Sequence, residues 1–496
     1  MLEANTPISP ETNIPERPMR RRSGFLLPLL IVGAGALWLG MIAGLEALWL
    51  ARQPWSGAIL ATEEALADPD VLTGLDEAMQ VRVRLAGQPG AEAQLLAMVD
   101  EALGGGDAAA ELLYAPEWVV AAPVSSERLS PLLASGRLPR PGKHEVLAGA
   151  LAKDAPFKLD GTEFTVTGRM HDTVGALFYA YMLPQHPNIQ KHFTDGKAQK
   201  GWLHPNGVHA LRKTLAKQPE KAGEVLEQKA ETAPETDEAR SESPGSARPV
   251  FEDRTVTPAP FAWGTLLGLL AMAVGGTLFY WRVSVRLATD RVSPFGRLFA
   301  ETVRRRRLFL GAHLVMYAVF FGFMGAGLLM PQWGYQMTRY MTAAFTEGGL
   351  SYIGEAYASG NILSAAGATF LNNYIVQTLG LTYLASLAVP LAPGLFKTAA
   401  SFAVVGFAMA PTWAGTASGM TFHGITMVLE MEGYILASFV VVLWPVYLVR
   451  AALGGGRAAV AHGLRLMLLG AVVSGVILAF AALYEAATLI ILRPLF

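Results

Sequence analysis

The chain has 496 residues, of which 52% are hydrophobic and only 16% are charged, with a net charge of −1. Soluble domains usually carry about 25% charged residues, and the apolar residues here cluster into runs of about 20 that could cross a bilayer. The absence of cysteine excludes a disulfide framework, a thiol nucleophile and an iron–sulfur site. These features predict a mainly α-helical, polytopic membrane protein, for which a nucleic-acid partner is not expected.

Long apolar runs predict about seven transmembrane helices. The first, at residues 25–50, is too long for the apolar core of a signal peptide and is interpreted as a retained anchor. The other six are predicted at Phe261–Trp281, Leu308–Met330, Ile362–Ala388, Lys397–Ala417, Gly424–Val449 and Arg465–Leu492.

Arginine placement predicts the orientation of these helices. Arg20–Arg22 precede the first span, and a basic segment at 282–307 follows the second. Because positive residues stay preferentially in the cytoplasm, the N-terminus and this segment are expected inside, and residues 51–260 outside, a bacterial inner membrane. Seven spans place the C-terminus outside; a re-entrant late segment would place it inside.

Between the first two spans the sequence predicts a small extracytoplasmic α/β domain at 51–215. Residues 57–105 have helical spacing, "EWVVAAPVSS" is typical of a strand, and "ERLSPLLASG" of a helix ending at Gly136. Asp160-Gly161 predicts the turn of a hairpin. The polar composition of 216–260 cannot bury a core and predicts a flexible linker.

These predictions divide the chain into seven segments. They are a cytoplasmic basic tail at 1–24, an anchor at 25–50, the extracytoplasmic domain at 51–215, the linker at 216–260, a transmembrane helix at 261–281, a cytoplasmic basic loop at 282–307 and a helical membrane domain at 308–496.

One stretch of the extracytoplasmic domain resembles a known family. "GRLPRPGKHEVLAGALAKDAPFKLDGTEFTVTGRM", at Gly136–Met170, is similar to the periplasmic core domain of ABC-type exporter permeases, and the resemblance extends over about 120–185. Gly136–His144 also imitates a phosphate-binding loop, but it has five residues between the glycines and prolines that remove backbone donors. With no other candidate loop in the chain, ATP-driven work would need a separate P-loop ATPase.

Residues 300–496 resemble the stage II sporulation protein M family. The similarity rests on "RRRRLFLGAHLVMYAVFFGFMGAGLL", "FLNNYIVQTLGL", "FHGITMVLEMEGYILASF" and "LAFAALYEAATLIIL". The family usually has Glu four residues after His423; Met427 stands there, and Glu430 follows at seven, on the same helical face. The resemblance implies a permease-like helical bundle, linked to envelope remodelling and not known as a catalyst.

Six polar residues within the apolar runs form the predicted intramembrane cluster: Asn372, Asn373, Glu430, Glu485, His423 and Glu432. A charged side chain facing lipid costs about 2.5–3.5 kcal/mol or more, so these groups are expected to face one another or a wet cavity. At least one of Glu430, Glu432 and Glu485 is expected to be protonated and to donate a hydrogen bond, for example to Asn373. The asparagines admit two interpretations, a functional role or hydrogen bonds that only hold helices together. His423 is expected to be a cap at the outer start of its span, and Glu432 to lie on a separate face, where it would simply line water.

The basic segment admits two interpretations. It is either a topology signal together with an amphipathic helix on anionic lipid, or a coupling surface for a cytoplasmic ATPase; the residues concerned are Arg297, Arg304, Arg305, Arg306 and Arg307. No metal or cofactor is predicted, because the spacing of His186, His192, His204 and His209 is irregular and favours solvent-exposed histidines. Small-residue spacing at Gly40/Gly44 and Gly264/Gly268 indicates close packing of the two anchors.

The sequence therefore predicts a permease-like subunit of an export or envelope-remodelling complex, working in membrane lipid as a homodimer or heteromeric complex. The main alternative is a membrane scaffold that recruits cell-wall-processing enzymes. An enzyme using Glu430 and Glu485 as an acid–base pair is disfavoured because no nucleophile, metal set or cofactor motif accompanies them.

Overall fold

The computed structural model describes most of the helical part of the chain and the strands between its first two long helices. The residues described are 22–52, 59–62, 79–85, 118–122, 130–149, 152, 157–171, 180–184, 186–193, 198–204, 257–290, 292–330, 337, 341, 344–345, 349–390, 392–413 and 416–492. The predictions made for the basic tail before Arg22, for the linker before Thr257 and for the C-terminal end lie outside these residues.

The strands form one mixed sheet. Its members are β1 Ile59–Thr62, β2 Met79–Leu85, β3 Trp118–Ala122, β4 Leu133–Gly136, β5 Glu145–Ala148, β6 Phe157–Leu159, β7 Thr162–Met170, β8 Ala180–Pro184 and β9 Gln199–His204. The strand order is β1-β9-β2-β3-β8-β5-β7-β4, with β6 paired to β7. The β3–β8 and β5–β7 pairs are parallel, and the other pairs are antiparallel. A single-turn helix, α2 Pro187–Gln190, precedes β9.

Two helix predictions in this region are wrong. Residues 79–85 form β2, in which Met79, Val81 and Val83 are buried while Gln80 and Arg82 between them are exposed. This alternation has the period of a strand, and it was obscured by the Ala- and Leu-rich residues around it. In the segment ending at Gly136, the described residues 130–136 form a single 3₁₀ turn followed by β4.

Two other predictions are confirmed. The β3 strand lies within "EWVVAAPVSS". The β6–β7 hairpin turns at Asp160-Gly161, since Leu159 pairs with Thr162 and both turn residues have positive φ, 47° and 74°. Positive φ at both positions is the requirement of a tight hairpin turn that matches strand twist.

Most of the remaining described residues are helical. The helices are α1 Leu26–Leu50, α3 Ala259–Leu287, α4 Pro294–Arg304, α5 Arg306–Leu329, α6 Ser351–Ala358, α7 Ile362–Phe370, α8 Ala385–Ala388, α9 Ala392–Ala408, α10 Thr416–Arg450 and α11 Gly456–Leu492. A π-helical segment, Leu371–Leu384, joins α7 to α8 without a break. A second, Ala451–Gly455, joins α10 to α11 and carries the bend, with Gly454 at φ 105°.

Four helical segments are long and apolar enough to cross a membrane: Leu26–Leu50, Ala259–Leu287, Arg306–Leu329 and Thr416–Ile491. The last comprises α10 and α11. The helix predicted at Lys397–Ala417 is shorter than expected, since α9 ends at Ala408, close before Pro411. Proline disfavours helical geometry in the residue before it, which accounts for the early end.

The first two long helices pack closely together. Cβ atoms added at Gly264 and Gly268 would lie 2.8 and 2.7 Å from the side chains of Ile42 and Leu39 on α1. The Trp38 indole also donates a hydrogen bond to the Gly264 carbonyl at 2.7 Å. The predicted close packing at glycines is thus confirmed for Gly264 and Gly268 on α3. It is wrong for α1, because nothing lies within 4 Å of Cβ positions at Gly40 and Gly44.

Contacts at the two ends of the bundle show that α3 and α10 run in the same direction. At one end, before each helix begins, the Thr257 amide donates to the Thr412 carbonyl at 2.8 Å. The Thr257 hydroxyl donates to buried Glu46, near the end of α1, also at 2.8 Å. At the other end, α4 follows α3 and contacts the last turns of α10. We call these the Thr257 end and the α4 end.

The segment 282–307 is not a loop. Residues 282–287 continue α3, and α4 begins after Ser293, whose hydroxyl accepts a hydrogen bond from the Gly296 amide at 3.0 Å. Pro294 occupies the first turn, where its missing N–H costs nothing. Gly296 is required, because a Cβ there would lie 1.6 Å from the Asp290 carbonyl oxygen.

Candidate functional site

The first polar cluster joins the π-helical segment to α10. Asn373 Nδ2 donates to Glu430 Oε1 at 2.8 Å, and Asn372 Nδ2 donates to Asn373 Oδ1 at 2.9 Å. Asn373 therefore contacts a carboxyl as predicted, but the direction is the reverse of the predicted one, since the amide donates and the carboxyl accepts. In this segment the Thr378 hydroxyl donates a hydrogen bond to the Asn373 carbonyl, five residues earlier, at 2.6 Å. This spacing matches the π-helical geometry of the backbone. Isolated π turns often mark functional positions in helices.

Glu485 on α11 lies close to this cluster and faces His423. His423 Nδ1 lies 3.8 Å from Glu485 Oε1, and the Tyr357 hydroxyl from α6 also interacts with Glu485. Tyr357 in turn contacts Thr369 of α7 at 3.2 Å. His423 lies within α10 and not at its start, so the predicted role as a helix cap is wrong. Its partner is a carboxyl on the neighbouring helix.

Glu432 belongs to a second cluster on a separate face of α10, as predicted. Glu432 Oε2 lies 2.8 Å from His313 Nε2 on α5. The hydroxyls of Tyr317 on α5 and Thr277 on α3 donate to Glu432 Oε1 at 3.3 and 3.2 Å. The Glu432 and His313 side chains are 5% and 4% exposed, so the pair is shielded from surrounding solvent or lipid. It does not simply line water.

The hydrogen bonds of His313 fix the number of protons in this pair. His313 Nδ1 lies 2.9 Å from the Phe309 carbonyl oxygen, which can only accept, so Nδ1 carries a proton. The contact between Nε2 and Glu432 Oε2 then needs one further proton, on either atom. The pair has no net charge in both arrangements, as imidazolium with carboxylate or as neutral imidazole with a carboxylic acid. Neutrality suits a buried position, where an isolated charge is expensive.

A third cluster lies at the α4 end. Glu301 on α4 is buried and accepts hydrogen bonds from Arg304 and Arg305 at 2.6 Å each and from the Tyr447 hydroxyl at 2.8 Å. Burial acts to raise the Glu301 pKa, but hydrogen bonds from the arginines and the tyrosine outweigh it and hold the pKa below its ordinary value. Glu301 is therefore a carboxylate that fixes α4 to α10.

The five arginines of the predicted basic segment divide into two groups. Arg304 and Arg305 form ion pairs with Glu301. Arg297, Arg306 and Arg307 are exposed. The first pair therefore has a structural role, and the other three present positive charge outward.

The sheet carries polar pairs of its own. His192 is buried, which corrects the expectation of an exposed histidine, and its Nδ1 lies 3.1 Å from Asp160 in the hairpin turn. Arg84 also contacts Asp160 at 2.7 Å. These three groups hold the hairpin against β2. Among the described residues no group of histidines and carboxylates has the arrangement of a metal site.

Glu145 forms a two-point ion pair at the start of β5. Its carboxylate accepts hydrogen bonds from both Arg137 Nη atoms at 2.7 Å each and from the Arg140 amide at 2.9 Å. Hydrogen bonds from Arg137 and then from the Arg140 backbone lower the pKa of Glu145 to about 2. The turn that resembles a phosphate loop is thus closed by its own ion pair.

Several residues of these clusters were missed from the sequence: His313, Tyr317, Thr277, Tyr357, Glu301 and Tyr447. One signal was available for the first of them, since His313 interrupts the apolar run "LFLGAHLVMY" and an ionisable residue in such a run is a functional candidate. The hydroxyls are too common in membrane helices to be singled out by sequence.

Comparison of the chain with protein-family models, with curated proteins and with solved structures finds no match. The similarity to the stage II sporulation protein M family and to exporter permeases therefore remains a hypothesis.

Proposed function

We propose that the chain is a permease-like subunit of an ABC-type export or envelope-remodelling complex, energised by a separate cytoplasmic ATPase and without catalytic chemistry of its own. The observation that carries the proposal is α4. It is a short helix outside the long apolar helices, attached to α10 by a buried carboxylate and flanked by exposed arginines.

Such a helix could transmit force because it is both accessible and firmly attached. Glu301 joins α4 to Tyr447 on α10, a helix that also carries Glu430 and Glu432 of the two other clusters. A push on α4 would therefore reach both clusters through one continuous helix. The exposed arginines Arg297, Arg306 and Arg307 offer charge to an acidic surface on the ATPase.

The proposal includes a topology. Seven spans in a bacterial inner membrane would place the N-terminus and the α4 end in the cytoplasm and residues 51–260 outside. The helices support this number when α7, the π-helical segment and α8 are counted together as one span. The other six spans are α1, α3, α5, α9, α10 and α11. The sheet would then contact cargo or a periplasmic partner. Assembly as a homodimer or with other subunits would complete the complex.

The test is co-purification from native membranes in mild detergent, with partners identified by mass spectrometry. The informative variant replaces Arg297, Arg306 and Arg307 with Ser, and spares the two arginines that hold Glu301. A matched control replaces Arg282, Arg457 and Arg465, three exposed arginines at the same end but outside α4.

The proposal expects a P-loop ATPase to co-purify with the wild type and the control but not with the Arg297/Arg306/Arg307 variant. Its ATP hydrolysis should also change when the wild-type chain is added in proteoliposomes. If only cell-wall hydrolases co-purify, equally with all three proteins, the scaffold alternative is correct and the arginines set topology alone.

A further inference from the structure

Buried hydroxyls without a partner lie between the His313–Glu432 pair and the α4 end. The side-chain oxygens of Tyr280, Ser284 and Ser438 are buried and have no hydrogen-bond partner among the described residues. Buried polar atoms nearly always bond to protein or to ordered water. A row of such hydroxyls therefore has the chemistry of a path that water can occupy.

The positions of these hydroxyls follow from the parallel course of α3 and α10. The bond between Thr277 and Glu432 marks one level of the two helices. At a rise of about 1.5 Å per residue, Ser284 and Ser438 lie about 10 and 9 Å further toward the α4 end. The Tyr280 ring lies between these levels, 6.4 Å from the His313 ring and 6.5 Å from Phe299 of α4.

We propose that His313 and Glu432 form a binding site for one exchangeable proton, and that water bonded to Tyr280, Ser284 and Ser438 connects this site to the α4 end. The proton is the one shared by His313 Nε2 and Glu432 Oε2. The inference concerns the second cluster alone and does not depend on an ATPase partner.

Release of this proton has a definite electrostatic result. The proton passes to water, His313 keeps its Nδ1 proton, and Glu432 becomes a carboxylate with no donor at Oε2. Other titratable groups facing it from the described helices are the Tyr280 and Tyr317 phenols, neither of which supplies positive charge. The site then carries one negative charge in an apolar bundle, so we expect α5 to move relative to α10 or water to enter.

The first experiment measures proton binding by the full chain in lipid nanodiscs. Infrared difference spectra are recorded from about pH 4 to 9, a range that covers the ordinary titration of Glu and His. We expect one titration in which carboxyl and imidazole bands change together, and its loss in both Glu432→Gln and His313→Gln. The chain has 40 acidic residues and nine histidines, and His423 and Glu485 form another carboxyl–imidazole pair, so the test is the difference between wild type and variant. Coupled bands of undiminished amplitude in Glu432→Gln, or the absence of any coupled bands in the wild type, would overturn the proposal.

The second experiment tests the path and does not require a change in the pair itself. Thr426 provides a matched control, because it is also a buried hydroxyl without a partner but lies six residues from Glu432 toward the Thr257 end. Proton uptake is followed by time-resolved infrared spectroscopy after photolysis of a caged proton.

We expect Ser438→Ala to slow uptake by roughly tenfold, the effect of about 1.4 kcal/mol on the barrier, and Thr426→Ala to leave the rate unchanged. The equilibrium titration should be the same in both variants. Slowing by Thr426→Ala alone would place the entry at the opposite end, and equal rates in all proteins would exclude the path.

Discussion

The Tyr447 hydroxyl donates a hydrogen bond to Glu301 at 2.8 Å, and this bond joins a helix outside the long apolar segments to the helix that carries two of the polar clusters. Glu301 is 6% exposed and is also held by Arg304 and Arg305. A segment expected to be a basic loop is consequently a docked helix, and its arginines do not all have the same role.

Glu301→Gln should release α4 from the bundle. The substitution removes the charge that pairs with both arginines, and hydrogen bonds to charged groups contribute about 1.5–3 kcal/mol. We expect hydrogen exchange of the amides of 295–304 to accelerate correspondingly, while the amides of α3 and α10 change little. Arg306→Gln, which alters an exposed charge beside α5, is the control and should leave α4 protected. Unchanged exchange in Glu301→Gln would show that apolar contacts alone hold α4.

The ion pair of Glu145 predicts a pH dependence for the sheet. Its pKa in the folded chain is about 2, below the ordinary 4.5, so the folded state favours the carboxylate. The resulting stabilisation is fully present above about pH 4.5 and disappears as the pH falls toward 2. Thermal unfolding of the full chain and of Glu145→Gln, followed by tryptophan fluorescence, should therefore differ at neutral pH and converge in acid.

Glu163→Gln is the control for this measurement, since Glu163 is an exposed carboxylate on the adjacent strand β7. Its unfolding curve should follow the wild type at neutral pH. A difference between Glu145→Gln and wild type that persists undiminished near pH 2 would mean that the ion pair is not its source.

The long helices were predictable because a membrane leaves the chain few choices. Backbone groups in hydrocarbon must bond within the segment, so an apolar run such as that at Leu26–Leu50 can only be a helix. Residues outside such long apolar runs are free of this constraint. The strand at Met79–Leu85 was accordingly missed, because burial of every second residue there is set by the strands β3 and β9 on either side.

The same distinction applies to the polar residues. Depth along the spans correctly suggested that Asn373 and Glu430 would meet. Depth does not specify how each helix is rotated about its axis, and rotation decides that Glu432 faces His313 on α5 and not the cluster of Glu430. That rotation depends on close packing, for example of Gly276 against Val428, which no periodicity in the sequence reveals.

The hydrogen bond between Asn373 and Glu430 should stabilise the folded protein, and losing one partner should cost more stability than losing both. Asn373→Leu leaves the Glu430 carboxyl without its donor and should lower thermal stability in detergent by about 1–2 kcal/mol. Replacing both residues with Leu should recover most of the loss, because removing a buried pair together leaves nothing unsatisfied.

Asn372→Ala is the control for that pair, since it removes a bond to Asn373 but none to Glu430. It should have a smaller effect than Asn373→Leu. Failure of the double variant to recover stability would indicate that Glu430 interacts with further groups, of which Glu485 is one, since the two carboxyls interact electrostatically.

Gly275 on α3 should be intolerant of a side chain, whereas Gly44 on α1 should accept one. A Cβ at Gly275 would lie 2.9 Å from the Val32 amide nitrogen and 3.0 Å from the Pro28 carbonyl oxygen, which are backbone atoms that cannot move without α1. Gly275→Val should therefore cost about 1–3 kcal/mol by forcing the two helices apart.

Gly44→Val adds the same side chain where nothing lies within 4 Å, so its melting temperature in detergent should match the wild type.

The comparison of Gly44→Val with the wild type also tests assembly of the protein with other subunits. If Gly44→Val is as stable as wild type in detergent but separates a complex isolated from membranes, the open face of α1 contacts another subunit, because small residues allow helices to approach closely. If it has no effect in either setting, that face contacts lipid and any dimer forms elsewhere.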